Sequence, residues 1–253
     1  MYIWLQTIGE VIMDKQKLVR FISKYYLNGI AESVILKSDL VNQKLKTRFV
    51  SDDKTLLGIV QLDKWDFEDA HIGIYNTERL LKLLSVMDTD INFSITKSEE
   101  KALSMKIADN VSSVDYVLSD PSIINEPPDL QNIPDFELSI HITPTVINKF
   151  IGGKSALQDA TTFTVITANN FTKLVIGHSA TLTDRVTIPV NTQDFQHIKE
   201  VSFNAEYFSQ ILLANKECES AILYVSSAGL CKISFKIDNY SSTYWLVGTS
   251  ELA

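Results

Sequence analysis

Residues 14–27, DKQKLVRFISKYYL, hold the pattern from which the architecture follows. Leu18, Phe21, Ile22 and Tyr25 recur at the i, i+3, i+4, i+7 spacing that gathers side chains on one helix face. Asp14 stands ahead of them as an N-cap, and Gly29 just past Leu27 is the expected stop. The same signature returns three times. A second helix begins at Asn76, turns Leu80, Leu83, Leu84 and Met87 inward and stops at Asp88. Thr143-Pro144, a cap followed by proline at the first helical position, opens a third with Val146, Ile147, Phe150 and Ile151 inward, before Gly152-Gly153. Asn204 caps the fourth, with Tyr207, Phe208, Ile211 and Leu212 inward. The starts at 14, 76, 143 and 204 lie 62, 67 and 61 residues apart, which is the signature of an internal repeat.

Each interval is filled with short β-branched runs. Strands are expected at 34–37, 44–50 and 56–62, then at 91–96, 103–108 and 114–118. The third interval gives 162–168, 171–176, 185–190 and 198–203, and the fourth 221–226, 230–237 and 243–247; Glu10 to Met13 is the expected short first strand. Four helices are too few to alternate with so many strands in a parallel sheet. An α+β architecture of mostly antiparallel sheets with helices on one side follows. One stretch breaks the repeat. Residues 119–136, SDPSIINEPPDLQNIPDF, contain four of the six prolines, which donate no sheet hydrogen bond and favour an extended strap. The predicted organisation is therefore an N-terminal domain over 1–119, a crossover over 120–136 and a similar C-terminal domain over 137–253, each of two helix-plus-strands units. Residues 1–12 stand ahead of the repeat as a possible extension.

Composition narrows the function. With 253 residues, 45% hydrophobic and 21% charged, the chain is long enough for a large core, and its net charge of −8 provides no global field for nucleic acid or an anionic membrane. Any nucleic-acid contact must be local. Cys218 and Cys231 lie thirteen residues apart without a second ligand pair, as expected of two buried thiols. The segment MYIWLQTIGEVI has no basic start and no small-residue cleavage site, and falls short of the roughly 20 residues of a membrane span. A soluble, cytoplasmic protein without membrane contact is expected.

The search for chemistry returns little. His71, His141, His178 and His197 are scattered, outside any metal-ligand spacing. Gly152-Gly153-Lys154-Ser155 resembles the end of a phosphate loop, but Asn148 stands where that loop needs glycine, and the segment follows a helix instead of a strand. Asp52-Asp53 and the group Asp66, Glu68, Asp69 read as turn and loop residues. No cofactor, metal site or catalytic residue is expected, and the chain reads as a protein that binds. The more informative feature is basic: Lys17, Arg20 and Lys24 recur at i, i+3, i+7 on the first helix, with Arg79 and Lys82 on the second.

Three stretches then resemble one family in register. VSDDKTLLGIVQL at 50–62 is similar to a loop and strand of the DNA polymerase sliding clamps of the proliferating-cell-nuclear-antigen type. IGIYNTERLLKLLSVMDTDINFSI from Ile72, with KIADNVSSVDYVLSDPS ending at Ser122, resembles their second helix, hairpin and outer strand, closest to T-even-like phage clamps. GLCKISFKIDNYSSTYWLVG at 229–248 resembles their C-terminal strands. The resemblance covers roughly residues 14 to 250. It implies the DNA clamp fold, a head-to-tail homotrimeric ring that encircles duplex DNA non-specifically, tethers DNA polymerase as a processivity factor, and is opened by a clamp loader ATPase. It also implies a place in the cytoplasm, that of the host if the chain is phage-encoded.

By that resemblance Lys17, Arg20, Lys24, Arg79 and Lys82 face the DNA, with Lys149, Lys154 and Lys216 as weaker contributors in the second domain. The edge strands 113–118 and 185–190 meet between subunits, with Val114, Tyr116, Val186 and Ile188 packing there and Pro189 where no donor is needed. Leu56, Leu57, Ile133, Leu230, Trp245, Leu246 and Val247 form the partner pocket, with Leu246 on the opposite strand face from Trp245 and Val247. A non-catalytic, self-assembling structural protein of a phage particle is the alternative with the same composition, and a hydrolase built on the acidic clusters is a third. Neither requires a fourfold helix repeat with basic faces.

Overall fold

A computed structural model describes residues 5–99, 101–179, 181 and 183–249. The chain divides into two compact units, Met1–Val50 with Ile59–Pro127, and Ser51–Gly58 with Pro128–Ala253, so the main division falls at the Pro127-Pro128 pair inside the proline-rich stretch. The elements run β1 (Leu5–Asp14), α1 (Lys15–Tyr26), β2 (Val34–Asp39), β3 (Lys44–Val50), β4 (Leu56–Asp63), β5 (Ala70–Ile74), α2 (Thr77–Ser85), β6 (Asp90–Ser98), β7 (Lys101–Ala108) and β8 (Ser113–Val117). After the strap come β9 (Leu138–Ile142), α3 (Pro144–Ala156), β10 (Thr162–Ala168), β11 (Phe171–Ile176), β12 (Val186–Val190), β13 (Thr192–Asp194), β14 (Val201–Asn204), α4 (Ala205–Ala214), β15 (Ala221–Ser226), β16 (Leu230–Ile237) and β17 (Tyr240–Val247).

In the first unit β1-β6-β7-β8 form one antiparallel sheet, and β5, β2, β3 and residues 59–63 of β4 lie in that order in a second run of strands. The second unit repeats the plan with β12-β11-β10-β14 and with β13-β9-β15-β16-β17. Within each unit the two helices pack on one another and on the strands. Trp65, Phe67 and Phe93 meet edge-on or tilted, with centroids 4.9–6.1 Å apart, at the centre of the first. Phe150, Phe163, Phe203 and Phe208 cluster in the second at 4.7–5.6 Å, edge-on or tilted except for the stacked pair Phe163 and Phe208. Such rings each bury a large apolar area, among the many Leu, Ile and Val side chains of the core.

All four expected caps are in place. Asp14 accepts from Gln16 N–H, Asn76 from Arg79, Thr143 from Val146 and Asn204 from Tyr207, at 2.7, 2.7, 3.4 and 3.0 Å. Each satisfies one of the amides that a helix start leaves unbonded. The helix ends are less regular. α1 stops before Gly29, at Leu27, which takes the left-handed conformation (φ 47°), donates its N–H to Ser23 O and is buried. α3 runs through Gly152-Gly153 to Ala156. A β-carbon at Gly153 would lie 3.0 Å from Val186 Cγ1 and 3.1 Å from Ile176 Cδ1, so this glycine lets α3 seat closely on its sheet and does not end it.

Further differences concern strands. β1 is ten residues long and pairs with β6, so residues 5–12 are part of the first unit's sheet and not an appendage; residues 1–4 of the expected extension lie outside the described residues. Gly9 (φ 60°) sits at a bulge in β1, and a β-carbon there would lie 2.4 Å from the Phe67 ring. Sequence patterning misses β5, β9 and β13. Leu83, Ile151 and Tyr207, expected inward, are only half-buried. Among the described residues no helix is long and apolar enough to cross a membrane.

Candidate nucleic-acid and partner interfaces

Helical geometry decides which of the predicted cations reach solvent. The apolar stripe of α1 is centred near Leu18 and Tyr25, and at 100° per residue Arg20 lies roughly opposite it while Lys17 and Lys24 flank it. Arg20 is half-buried, as is Lys17, whose ammonium donates to Lys64 O at 2.7 Å; burial lowers the Lys17 pKa, against the opposing pull of Asp66. Lys24 is only 1% exposed, so it does not present charge to a ligand, contrary to expectation. On α2, Arg79 and Lys82 are exposed, and Lys82 pairs with Glu78 one turn back at 2.6 Å. That surface pair is worth only a few tenths of a kcal/mol and exchanges readily. Lys15, half-buried, donates to Met87 O and ties α1 to the end of α2.

In the second unit Lys149 and Lys216 are exposed. Lys154, four residues past Phe150, falls on the buried stripe instead. Its ammonium donates to Gln158 O at 3.0 Å and meets Glu206 at 3.3 Å, so it too is removed from the set. Exposed or half-exposed cations therefore remain at 17, 20, 79 and 82 in one unit and at 149 and 216 in the other.

Both predicted interface strands are sheet edges, β8 in the first unit and β12 in the second. The four side chains assigned to them, however, are engaged within their own units. Tyr116 is 2% exposed; its hydroxyl accepts from Asn76 N–H at 3.1 Å and donates to Asn76 O at 3.0 Å, and its ring stacks on Tyr75. Ile188 is buried, Val186 packs at Gly153, and Val114 is half-buried. Residues on the other face, Val117, Thr187 and Pro189, are exposed.

Ladder direction follows from the register. Leu118 N–H donates to Leu103 O, which fixes Tyr116 and Val114 as the hydrogen-bonded positions toward β7 and turns the amides of Asp115 and Val117 to the open edge. Gly177 N–H donates to Thr162 O, so by the same alternation β12 bonds β11 through Val186, Ile188 and Val190. Pro189 then stands where its missing N–H costs the sheet nothing, as expected, and Thr187 offers the outward amide.

The predicted partner pocket divides by the pleat. Leu56 and Leu246 are 0% and 1% exposed, on the core side, and Leu57 is also buried. Ile133 and Val247 are exposed, and Leu230 and Trp245 are half-buried on the solvent face of β16 and β17. Register places Val247 opposite Leu230 and Trp245 opposite Lys232. Lys232 in turn faces Tyr224 on β15, whose ring lies 5.9 Å from that of Phe136. Lys232, Tyr224 and Phe136 escaped sequence reading, although the alternation in LCKISFKI already sends Lys232 to the face opposite Cys231 and Ile233. Beneath this face, buried Asn215 donates to Ile211 O (2.9 Å) and Tyr244 (3.1 Å) and accepts from Ser242 (3.0 Å), joining the end of α4 to β17.

The proliferating cellular nuclear antigen of Entamoeba histolytica superposes on 98% of this chain and 100% of its own, with a TM-score of 0.72 at 14% identity. The chain has the sliding-clamp fold. A. fulgidus PCNA, solved with the C-terminal region of FEN-1 bound, gives a TM-score of 0.74 over 96% of this chain and 99% of its own, at 14% identity. The PCNA2–PCNA3 complex of Sulfolobus tokodaii gives 0.70 over 96% and 100%, at 12% identity. No protein-family model and no curated protein matches the sequence. In sliding-clamp terms, the repeat read from the caps corresponds to two helix pairs, one in each unit.

Proposed function

We propose that this chain is a DNA polymerase processivity factor: a non-catalytic clamp whose copies assemble head-to-tail into a homotrimeric ring around duplex DNA. The observation that carries the proposal is likeness to sliding clamps over nearly the whole of both chains, including both units and all four helices. The charge distribution supports it. In a chain of net charge −8, cations recur on all four helices or at their ends, on long flexible side chains suited to contacts that exchange as the ring moves. In this reading Lys17, Arg20, Arg79, Lys82, Lys149 and Lys216 face the phosphates, with the larger share on the first unit. β8 and β12 close the ring through Asp115, Val117 and Thr187 amides. A clamp loader ATPase opens it.

The solvent face around Leu230, Trp245 and Val247, with Ile133, is the docking surface for polymerase and other replication proteins. The binding of a C-terminal FEN-1 region by the A. fulgidus clamp supports this mode of docking. An apolar side chain buried there would contribute roughly 1.5–3 kcal/mol before association costs, which suits exchangeable partners. Primer extension on a circular single-stranded template, with loader and a partner polymerase, tests the whole reading. Wild type should lengthen products, and Trp245→Ala with Val247→Ala should abolish that gain while native mass remains that of three chains. A monomer at high concentration, or undiminished stimulation by the double variant, would count against it. No observation favours the structural-protein alternative.

A further inference from the structure

We infer that the solvent face of the second unit's sheet recognises an acidic side chain within the peptide that docks on it, through Lys232, which lies between Tyr224 and Trp245. The inference rests on the docking role given to that face above and adds the chemistry of its partner. Register aligns Tyr224, Lys232 and Trp245 directly across β15, β16 and β17. The Lys232 ammonium lies 5.9 Å from the Tyr224 ring centroid and 6.0 Å from that of Trp245, at the outer reach of a cation–π contact with each. Among the described residues it has neither a carboxylate partner nor a hydrogen-bond acceptor. Beside it, Trp245 Nε1 is buried and has no acceptor among the described residues.

One cationic donor is thus left open on this row, beside an indole N–H that is covered. Charge complementarity gives the ligand's sign. The outward positions of β15, β16 and β17 hold two lysines, Lys232 and Lys236, and no carboxylate, in a chain whose net charge is −8. The neighbouring row adds Leu230 opposite Val247, an apolar seat one strand step away. A carboxylate can accept from the ammonium while an adjacent apolar side chain covers Leu230 and Val247. Rows continue on both sides, with Ser234 opposite Thr243 beyond the lysine. A chain can therefore run on past the site, and we assign the carboxylate to an internal Asp or Glu instead of a chain end.

The test selects dodecapeptides from a random library, displayed with their C-termini fused, on the full-length protein and on Lys232→Met, which keeps the stem between the rings. Peptides enriched on wild type should share an Asp or Glu at a fixed distance from an apolar pair. Peptides enriched on Lys232→Met should keep the apolar pair and lose the acid. One enriched peptide, synthesised as the C-terminal amide, should bind about tenfold more weakly when its acid is changed to Gln. Lys232→Met should weaken the acidic peptide by about the same factor and leave the Gln peptide unchanged. Far-ultraviolet circular dichroism and the thermal midpoint check that the variant is folded, and the Gln peptide tests the same contact on unaltered protein. An apolar consensus without an acid, or equal affinity for Lys232→Met, overturns the inference while leaving the docking face standing. Recovery of the Gln peptide by a free C-terminal carboxylate overturns the assignment to a side chain. Failure of any peptide to be enriched removes the docking face and the inference together.

Discussion

Val117→Pro separates the two ladders that β8 can serve. The amide of Val117 points to the open edge, its side chain is 67% exposed, and Tyr116 before it is already in the extended conformation that a following proline requires. Nothing within the sheet is lost. In a ring closed by edge pairing, the substitution deletes one hydrogen bond per contact and strands an acceptor on the neighbour, about 1–3 kcal/mol at each boundary. At 1 kcal/mol for each of three contacts, spread over two association steps, the concentration of half-dissociation rises about tenfold. Sedimentation velocity or native mass spectrometry across a dilution series reads this directly, and the unfolding midpoint of the dissociated chain should not move. Tyr116→Pro, by contrast, breaks the β7 ladder and the bonds to Asn76, so it should unfold the edge whether or not a ring forms. An unchanged dissociation midpoint in Val117→Pro would refute closure through the β8 edge.

Reversing Arg20, Arg79 and Lys82 together to glutamate should shorten retention on circular DNA severalfold and leave the native mass intact; Lys24→Met, at a buried position, should change thermal stability more than retention. Gly153→Ala drives a methyl group against Val186 and Ile176 and should cost about 1–3 kcal/mol, whereas Gly152→Ala meets nothing within 4 Å and should stabilise α3 by about 0.5–1 kcal/mol; thermal melts of the pair decide it. Asp109 accepts from the amides of Asp88, Val111 and Ser112, which lower its pKa from the ordinary 3.8 to about 2. Its contribution is therefore present above the unfolded value near 3.8 and is lost only as pH falls through about 2. Carboxyl NMR should find Asp109 still ionised at pH 3, and a midpoint near 4 would show that these bonds do not form.

Local chemistry wrote the repeat into the sequence. Asp14, Asn76, Thr143 and Asn204 are the caps both in sequence and in structure, because a cap depends on one side chain and amides two or three residues away. Strands with strong alternation, such as Lys44–Val50, Ala221–Ser226 and Leu230–Ile237, were legible to the residue for the same reason. So was the division of Leu246 from Trp245, which requires only the two-residue pleat. The tertiary structure decided what depends on a neighbour distant in sequence. Whether a lysine at a helix flank is covered is set by what packs there, so Lys24 flanks the stripe as Lys17 does and yet is buried in the fold. Gly153 reads as a helix stop until Val186 and Ile176 are seen against it. Lys232 reads as an ordinary outward lysine until register brings Tyr224 and Trp245 to either side of it, because cross-strand neighbours are fixed by pairing and not by sequence spacing.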